Sequence, residues 1–591
     1  MLATLVLACS RSDLPLQKRA PATRDTQLPD FKEDPTRARA DRIDLLFVID
    51  DSGSMQDKQR LFRRALPDMV ARLSHPRCVD SEGVPFARQP NNPGAPCPED
   101  GFREFNAVQD MHIGIVTTSV GPAGVCMSGF GDRQGAHLVP PPPEFRYRGL
   151  PFLAWDPEGV KDPPGIRDVQ VLNAAMADLV ERGGGGCPDE ASLEAFYRFL
   201  IDPEPPTAIV KVACPPNATT SECLAPVDTD VALLAEREAF LRPDSLVAII
   251  LLSDENDCSV APVGDAQRFL TDEEPMPRAT TVCREAPEDP CCHSCGAPAP
   301  PGCPPTDMDP TCQRGPYTEE EDPLFLRCWE DKRRFGRAYR YPVDRYVQGL
   351  TSQVITDHTG EARVNPLFSA IGTDGKPLRD PSLVFFAAIV GVPWQDLAAD
   401  PGDPDELHYL AGEALQQAEL WDLILGKPGV PPSDPLMIES LRERSGVHPI
   451  TGELVQPATT RNRLANQING HEMALLARPL EELRSDLQYA CIFPLSRPRD
   501  CSQSGPGCDC GQTPEVQRKP ICQRPDGSYG PFQWAGKAFP GVRQLEVVRR
   551  LPRNRIAASI CARNVSDDSR QDFGYRPALE ALVDRLRLGL E

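Results

Sequence analysis

Short uninterrupted apolar runs punctuate this chain: residues 45–49 (LLFVI), 113–116 (IGIV), 246–252 (LVAIILL), 383–390 (LVFFAAIV) and, more weakly, 556–560 (IAASI). A strand with one wet face alternates apolar and polar residues, whereas a continuous run suits a parallel strand covered on both faces. Between the runs the apolar spacing changes to three and four. Leu61, Phe62, Ala65, Leu66, Met69, Val70 and Leu73 form a helical stripe, with Pro67 inside it marking an expected kink. Leu172, Met176, Leu179 and Val180 form a second stripe, and Leu193, Phe196, Tyr197, Leu200 and Ile201 a third. Leu579, Leu582, Val583, Leu586 and Leu590 make a closing helix with Pro577 in its first turn. Strands alternating with helices predict an α/β fold with a doubly wound, mostly parallel sheet.

The connections are too long to be plain loops. Residues 75–110, 120–165, 203–230, 260–335 and 395–485 read as insertions, and 406–425 within the last of them as helical. The closing strand and helix fall at 556–590, so residues 41–591 read as one domain with long Cys-rich insertions rather than several domains in series. The 65 prolines and 43 glycines follow no repeat period.

Cysteine changes the picture more than overall composition does. The chain has 21 cysteines, clustered at Cys283, Cys291, Cys292, Cys295, Cys303, Cys312 and Cys328 and at Cys491, Cys501, Cys508, Cys510 and Cys522. Both clusters are poor in apolar runs, and disulfides supply the constraint that a core cannot. An oxidising compartment is expected. Zinc is the rival, because Cys292 and Cys295 have a zinc-like spacing, but no second pair stands at the usual distance. The first residues, MLATLVLA followed by Cys9-Ser10, resemble the end of a bacterial lipoprotein signal. On that reading residues 1–9 are a signal ending at a lipidated Cys9, 10–40 a polar tether, and the protein an exported one held at the cell envelope, in the outer membrane or at the cell surface. Its membrane contact is then the lipid anchor alone, since no run approaches the ~18 apolar residues of a spanning helix.

The net charge of −23 argues against nucleic acid as a partner, because phosphate recognition needs a basic face. It is compatible with cations. The strand at 45–49 runs directly into Asp50-Asp51-Ser52-Gly53-Ser54-Met55 and then a helix. Ligands of open parallel sheets bind beyond the carboxyl ends of the strands. A carboxylate and two hydroxyls at alternate positions are hard oxygen donors for Mg²⁺, Mn²⁺ or Ca²⁺. The same residues before a helix can instead act as N-caps. The strand at 246–252 ends likewise in Ser253-Asp254-Glu255-Asn256-Asp257, so two strand ends can converge on one ion.

With these two segments the chain resembles the von Willebrand factor A family. FVIDDSGSM is similar to its metal-ion-dependent adhesion motif, and ILLSDEND to the strand whose aspartate completes the site. The resemblance covers roughly residues 41–260 with 383–391 and 556–590. It implies a metal, Mg²⁺ or else Mn²⁺ or Ca²⁺, held by Asp50, Ser52, Ser54 and Asp254, and a protein partner whose acidic side chain completes the coordination. The family adds a threonine from a Gly-rich loop. The matching loop here, 183–192 (GGGGCPDEAS), has none, so Asp189, Glu190 or Ser192, or else water, is the candidate substitute. Thr117 and Thr118 are read as packing or outer-shell residues.

Other motifs fall short. His471-Glu472 lacks the second histidine of a zinc protease, because Leu475 stands in its place. Ser52 and Ser54 are not set in a nucleophile elbow. A non-enzymatic, metal-dependent adhesion or scaffold module is therefore expected. Two alternatives stay open: an envelope hydrolase with its catalytic residues in the insertions, and a purely structural, disulfide-stapled surface protein.

Overall fold

The computed structural model describes residues 40–590 apart from 91–94, 99, 121–134, 183, 188–189, 215–221, 263, 461, 474–485, 504, 506 and 512–517. Cys9, most of the 10–40 tether and Asp189 therefore lie outside the described residues. The elements used below are, in chain order, β1 (Arg42–Ile49), α1 (Gln56–Ser74), β2 (Asp110–Thr117), β3 (Leu153–Trp155), α2 (Val169–Val180), α3 (Ser192–Leu200), β4 (Pro206–Ala213), β5 (Glu222–Thr229), α4 (Val231–Phe240), β6 (Leu246–Leu252), α5 (Val343–Thr351), β7 (Val384–Val390), α6 (Trp394–Leu397), α7 (Gly412–Gln417), α8 (Leu420–Ile424), β8 (Cys491–Asp500), β9 (Phe532–Ala538), α9 (Val542–Arg550), β10 (Arg555–Ser559) and α10 (Arg576–Leu586).

The architecture is mixed α/β around a six-stranded sheet of order β10-β7-β6-β1-β2-β3. The first five strands of that order are parallel to their neighbours, and β3 is antiparallel to β2 at the edge. The five apolar runs become the five parallel strands. Every residue of β6 and β7 is buried, and each Leu or Ile removed from water there contributes about 1.5–3 kcal/mol. One polar residue interrupts β1. Asp44 is fully buried at the amino end, where Arg242 donates to it from its backbone nitrogen and from Nε, both at 2.8 Å. The helices form two mutually packed groups: α1 with α2 and α10, and α3 with α4, α5 and α9.

Register fixes the functional edge. Ile49 pairs with Thr117 on one side and Leu252 on the other. The ladder continues one step further, Asp50 N donating to Leu252 O at 3.0 Å and Thr118 N to Ile49 O at 3.2 Å. The carboxyl ends of β1, β2 and β6 thus stop level with one another.

One local expectation needs correction. The helix expected over 406–425 is replaced by α7 and α8, broken at Glu419, which takes a left-handed φ of 55°; residues 406–411 are not helical. α1 contains Pro67 and runs on to Ser74. Periodicity did not announce edge strand β3 and the antiparallel hairpin β4–β5 within the insertions, nor the antiparallel hairpin β8–β9 that follows the last of them.

The described cysteines form disulfides rather than a zinc site. Cys292 pairs with Cys283, Cys295 with Cys312, and Cys291 with Cys303. Further pairs are Cys78–Cys97, Cys214–Cys223, Cys258–Cys328, Cys491–Cys561, Cys501–Cys508 and Cys510–Cys522, and Cys187 is disulfide-bonded too. Among the described residues no helix is long and apolar enough to cross a membrane. The disulfides are consistent with an extracellular or secreted protein.

Candidate metal centre

Beyond β1 the chain makes a single tight turn, Gly53–Met55, before α1 begins. Neither Ser52 at the start of that turn nor Met55 at the start of α1 makes a side-chain capping bond. The hydroxyls are turned elsewhere. Ser52 Oγ lies 3.2 Å from Ser54 Oγ, and Ser54 Oγ donates to Asp254 Oδ1 at 2.9 Å. Asp50 is fixed from both sides, Oδ1 accepting from Ser52 N at 2.9 Å and Oδ2 from Ser253 Oγ at 2.8 Å. Asp50, Ser52, Ser54 and Asp254 are therefore linked in one hydrogen-bonded group at the ends of β1 and β6.

The electrostatics are those of negative charge gathered away from water. Asp50 and Asp254 are both fully buried. Burial and the nearby Asp254 push the Asp50 carboxyl up to about 7, against the pull of its bonds from Ser52 and Ser253. Glu255 is pushed up to about 8, chiefly by burial and further by Asp254 and Asp50, with Lys537 opposing; its carboxyl also shares a hydrogen bond with Glu190. Two cations answer this charge. Lys58, one turn into α1 and buried, donates to Asp254 Oδ2 at 2.6 Å and to Ser54 O at 3.1 Å. Lys537, on β9, reaches Asp509 at 3.5 Å. Glu255 lies inside the ILLSDEND segment but is not among the expected ligands, and Lys58 and Lys537 carry no signal in the sequence, because a lysine outside a motif looks like solvated surface.

The Gly-rich loop packs beside this group. Gly186 N donates to Asp51 O at 2.9 Å, and a Cβ on Gly186 would stand 2.3 Å from Asp51 Oδ1, so no other residue fits without displacing the loop. Ser119 Oγ donates to Asp51 Oδ1 at 2.7 Å and accepts from Cys187 N at 2.8 Å. Of the loop's candidate ligands, Glu190 is buried and reaches Glu255. Ser192 Oγ faces Asp257 at 3.4 Å and accepts from Gln544 Nε2 at 3.2 Å. Asp257 in turn accepts from Leu193 N at 2.9 Å and so caps α3. Thr118 is buried, with its backbone carbonyl accepting from Ala191 N.

The β8–β9 hairpin and its disulfide loop cover the site. Phe539 N donates to Asp254 O at 2.9 Å, and the Phe493 ring centre lies 5.8 Å from Lys58 Nζ. Arg499 pairs with Asp57 in the first turn of α1 and donates to Gly507 O.

His471 and Glu472 have structural partners. Glu472 accepts from Arg444 Nη2 and Nε, each at 2.9 Å. His471 Nδ1 lies 2.7 Å from Glu472 O. A different histidine stands in a cluster that could hold a metal: Asp396, Asp434 and His448, all buried, offer ligand atoms within 4.8 Å of one another. These three lie in the 395–485 insertion with no motif spacing.

No family model matches the chain, and no curated protein or solved structure matches it.

Proposed function

We propose that this chain is an exported, metal-dependent protein-binding module on a doubly wound sheet of the von Willebrand A type, anchored at the cell envelope through Cys9. The observation that supports it is the linked group Asp50, Ser52, Ser54 and Asp254 at the level ends of two adjacent parallel strands. Two hydroxyls and two carboxylates suit a hard dication, Mg²⁺ first and Mn²⁺ or Ca²⁺ next. Burial and the nearby Asp254 raise the cost of ionising Asp50, which a dication would relieve. Ser52 and Ser54 would bind through their hydroxyls, Asp50 would balance charge directly and through water, and Asp254 would complete the set. The bound ion would supply a positive point charge for a partner's carboxylate.

One observation favours a second, purely structural reading. Asp254 already has the Lys58 ammonium on Oδ2, beneath the β8–β9 hairpin. Thermal unfolding of the full chain in EDTA, then in Mg²⁺, Mn²⁺ or Ca²⁺, separates the two. At ~100 times its dissociation constant a cation adds about 2.7 kcal/mol. The proposal expects a shift that disappears in the Asp50→Ala, Asp254→Ala double variant. No shift with any cation in folded protein would leave the structural reading.

A further inference from the structure

Behind the end of β7 the chain turns through α6, and the 395–485 insertion folds back against it. Asp396 is in α6, Asp434 begins a short turn whose Leu436 N donates to Asp434 Oδ1 at 2.9 Å, and His448 lies in the following loop. All three side chains are completely buried. His448 Nε2 stands 3.0 Å from Asp396 Oδ1 and 3.7 Å from Asp434 Oδ2. Asp434 shares a side-chain hydrogen bond with the Asp396 carboxyl. Two carboxylates and an imidazole thus point at one another in the interior. Burying such groups is costly unless something neutralises them.

We propose that Asp396, Asp434 and His448 form a second metal site, separate from the Asp50 group, that takes a divalent first-row transition ion, zinc or manganese, through His448 Nε2 and one oxygen of each aspartate. The charge balances: two carboxylates and a neutral imidazole around a dication leave no net charge to bury. The nitrogen donor sets the class, since imidazole favours transition ions over Mg²⁺ and Ca²⁺, whereas the Asp50 group offers oxygen alone. Binding through Nε2 requires the proton on Nδ1, and the Thr451 hydroxyl oxygen, 3.2 Å away, can accept it. The Thr451 amide nitrogen stands at the same distance and favours the opposite tautomer. With that tautomer and no metal, Asp434 would carry a proton toward Asp396, and His448 Nε2–H would face Asp396. The site would act as a clamp, tying the turn after β7 to two loops of an insertion that has little regular structure of its own.

The two arrangements differ spectroscopically in the wild-type chain. After EDTA treatment and desalting, two equivalents of Mn²⁺ are added and pulsed electron paramagnetic resonance is recorded. The triad gives a ¹⁴N coupling from a bound imidazole, which the all-oxygen Asp50 group cannot give even when it is filled. Zinc added to the same sample should displace the nitrogen-coupled signal, and His448→Gln should remove it while the Asp50→Ala, Asp254→Ala variant keeps it. Folded wild-type protein without ¹⁴N coupling, or with a coupling that persists unchanged in folded His448→Gln protein, would overturn the proposal. Loss of the coupling in the Asp50 variant alone would do the same.

Discussion

Asp50 sits where its charge is costly, and that gives a pH dependence with a definite sign. An unfolded aspartate loses its proton near ~3.9, while the buried Asp50 carboxyl is pushed up to about 7, first by burial and then by Asp254. Between those values the folded chain holds more protons than the unfolded one, so this group's contribution to metal-free stability falls as pH rises from about 4 to about 7. A bound dication takes over the proton's role, so saturating Mg²⁺ should flatten the fall. Asp50→Asn keeps the shape without the charge. At pH 8 it should stabilise EDTA-treated protein by about 2 kcal/mol and abolish the Mg²⁺ response. Urea unfolding at several pH values reads both effects; equal slopes with and without Mg²⁺ would count against the site. Lys58 tests the same balance from the other side. Its ammonium competes with any cation for Asp254. Lys58→Met should cost EDTA-treated protein about 3 kcal/mol, because a buried carboxylate loses its partner. The same change should tighten Mg²⁺ binding by about tenfold in a calorimetric titration. At this scale the sequence was legible where chemistry sat on a strand end in a fixed alternation, as at Asp50, Ser52 and Ser54. Lys58 was not, because a helical lysine is ordinarily solvated. The Asp396–Asp434–His448 group was not, because its members meet only after the insertion folds.

Elements were legible in proportion to how completely they are buried. The five continuous apolar runs correspond to β1, β2, β6, β7 and β10, since a strand covered on both faces leaves an unbroken signature. The hairpin β4–β5 left none. Its residues are largely exposed or half-buried, so burial imposes no alternation on it. β3 is three residues long, too short for any period. The single helix expected over 406–425 begins only at Gly412 and is then broken at one backbone angle. Glu419 takes a φ of 55° between α7 and α8, and its side chain is exposed. A residue with a Cβ pays about 1 kcal/mol to stand there, and glycine does not. Glu419→Gly should therefore raise stability by about 0.5 kcal/mol, the relief being partly offset by glycine's greater freedom in the unfolded chain. If the break were imposed by a contact of the glutamate side chain instead, the variant would unfold earlier in a denaturant titration than the wild type.

Over the whole molecule, disulfides do for the insertions what the apolar sheet does for the core, and their positions tie the two systems together. Cys491 begins β8, Cys561 follows β10 at the sheet edge, and both are buried in the main core. That one bond fastens the hairpin over Asp254 to the parallel sheet, closing a separation of 70 residues. Cys214–Cys223 closes only 9, within the exposed β4–β5 hairpin. In the chain-entropy account the longer loop is worth about 4 kcal/mol and the shorter about 2.5. Replacing both cysteines of each pair by alanine should therefore destabilise unequally, Cys491/Cys561 more. The functional difference should be larger than the energetic one. Phe539 meets Asp254, Phe493 lies against Lys58 and Arg499 pairs with Asp57 only while β8 and β9 are held in place. Loss of Cys491–Cys561 should therefore speed Mg²⁺ exchange at that group, followed by stopped-flow chelation with EDTA. Loss of Cys214–Cys223 should leave that rate unchanged. Equal rates in both variants would mean that the hairpin does not govern access, and the way in would then have to run past Ser54, the least buried of the four expected ligands.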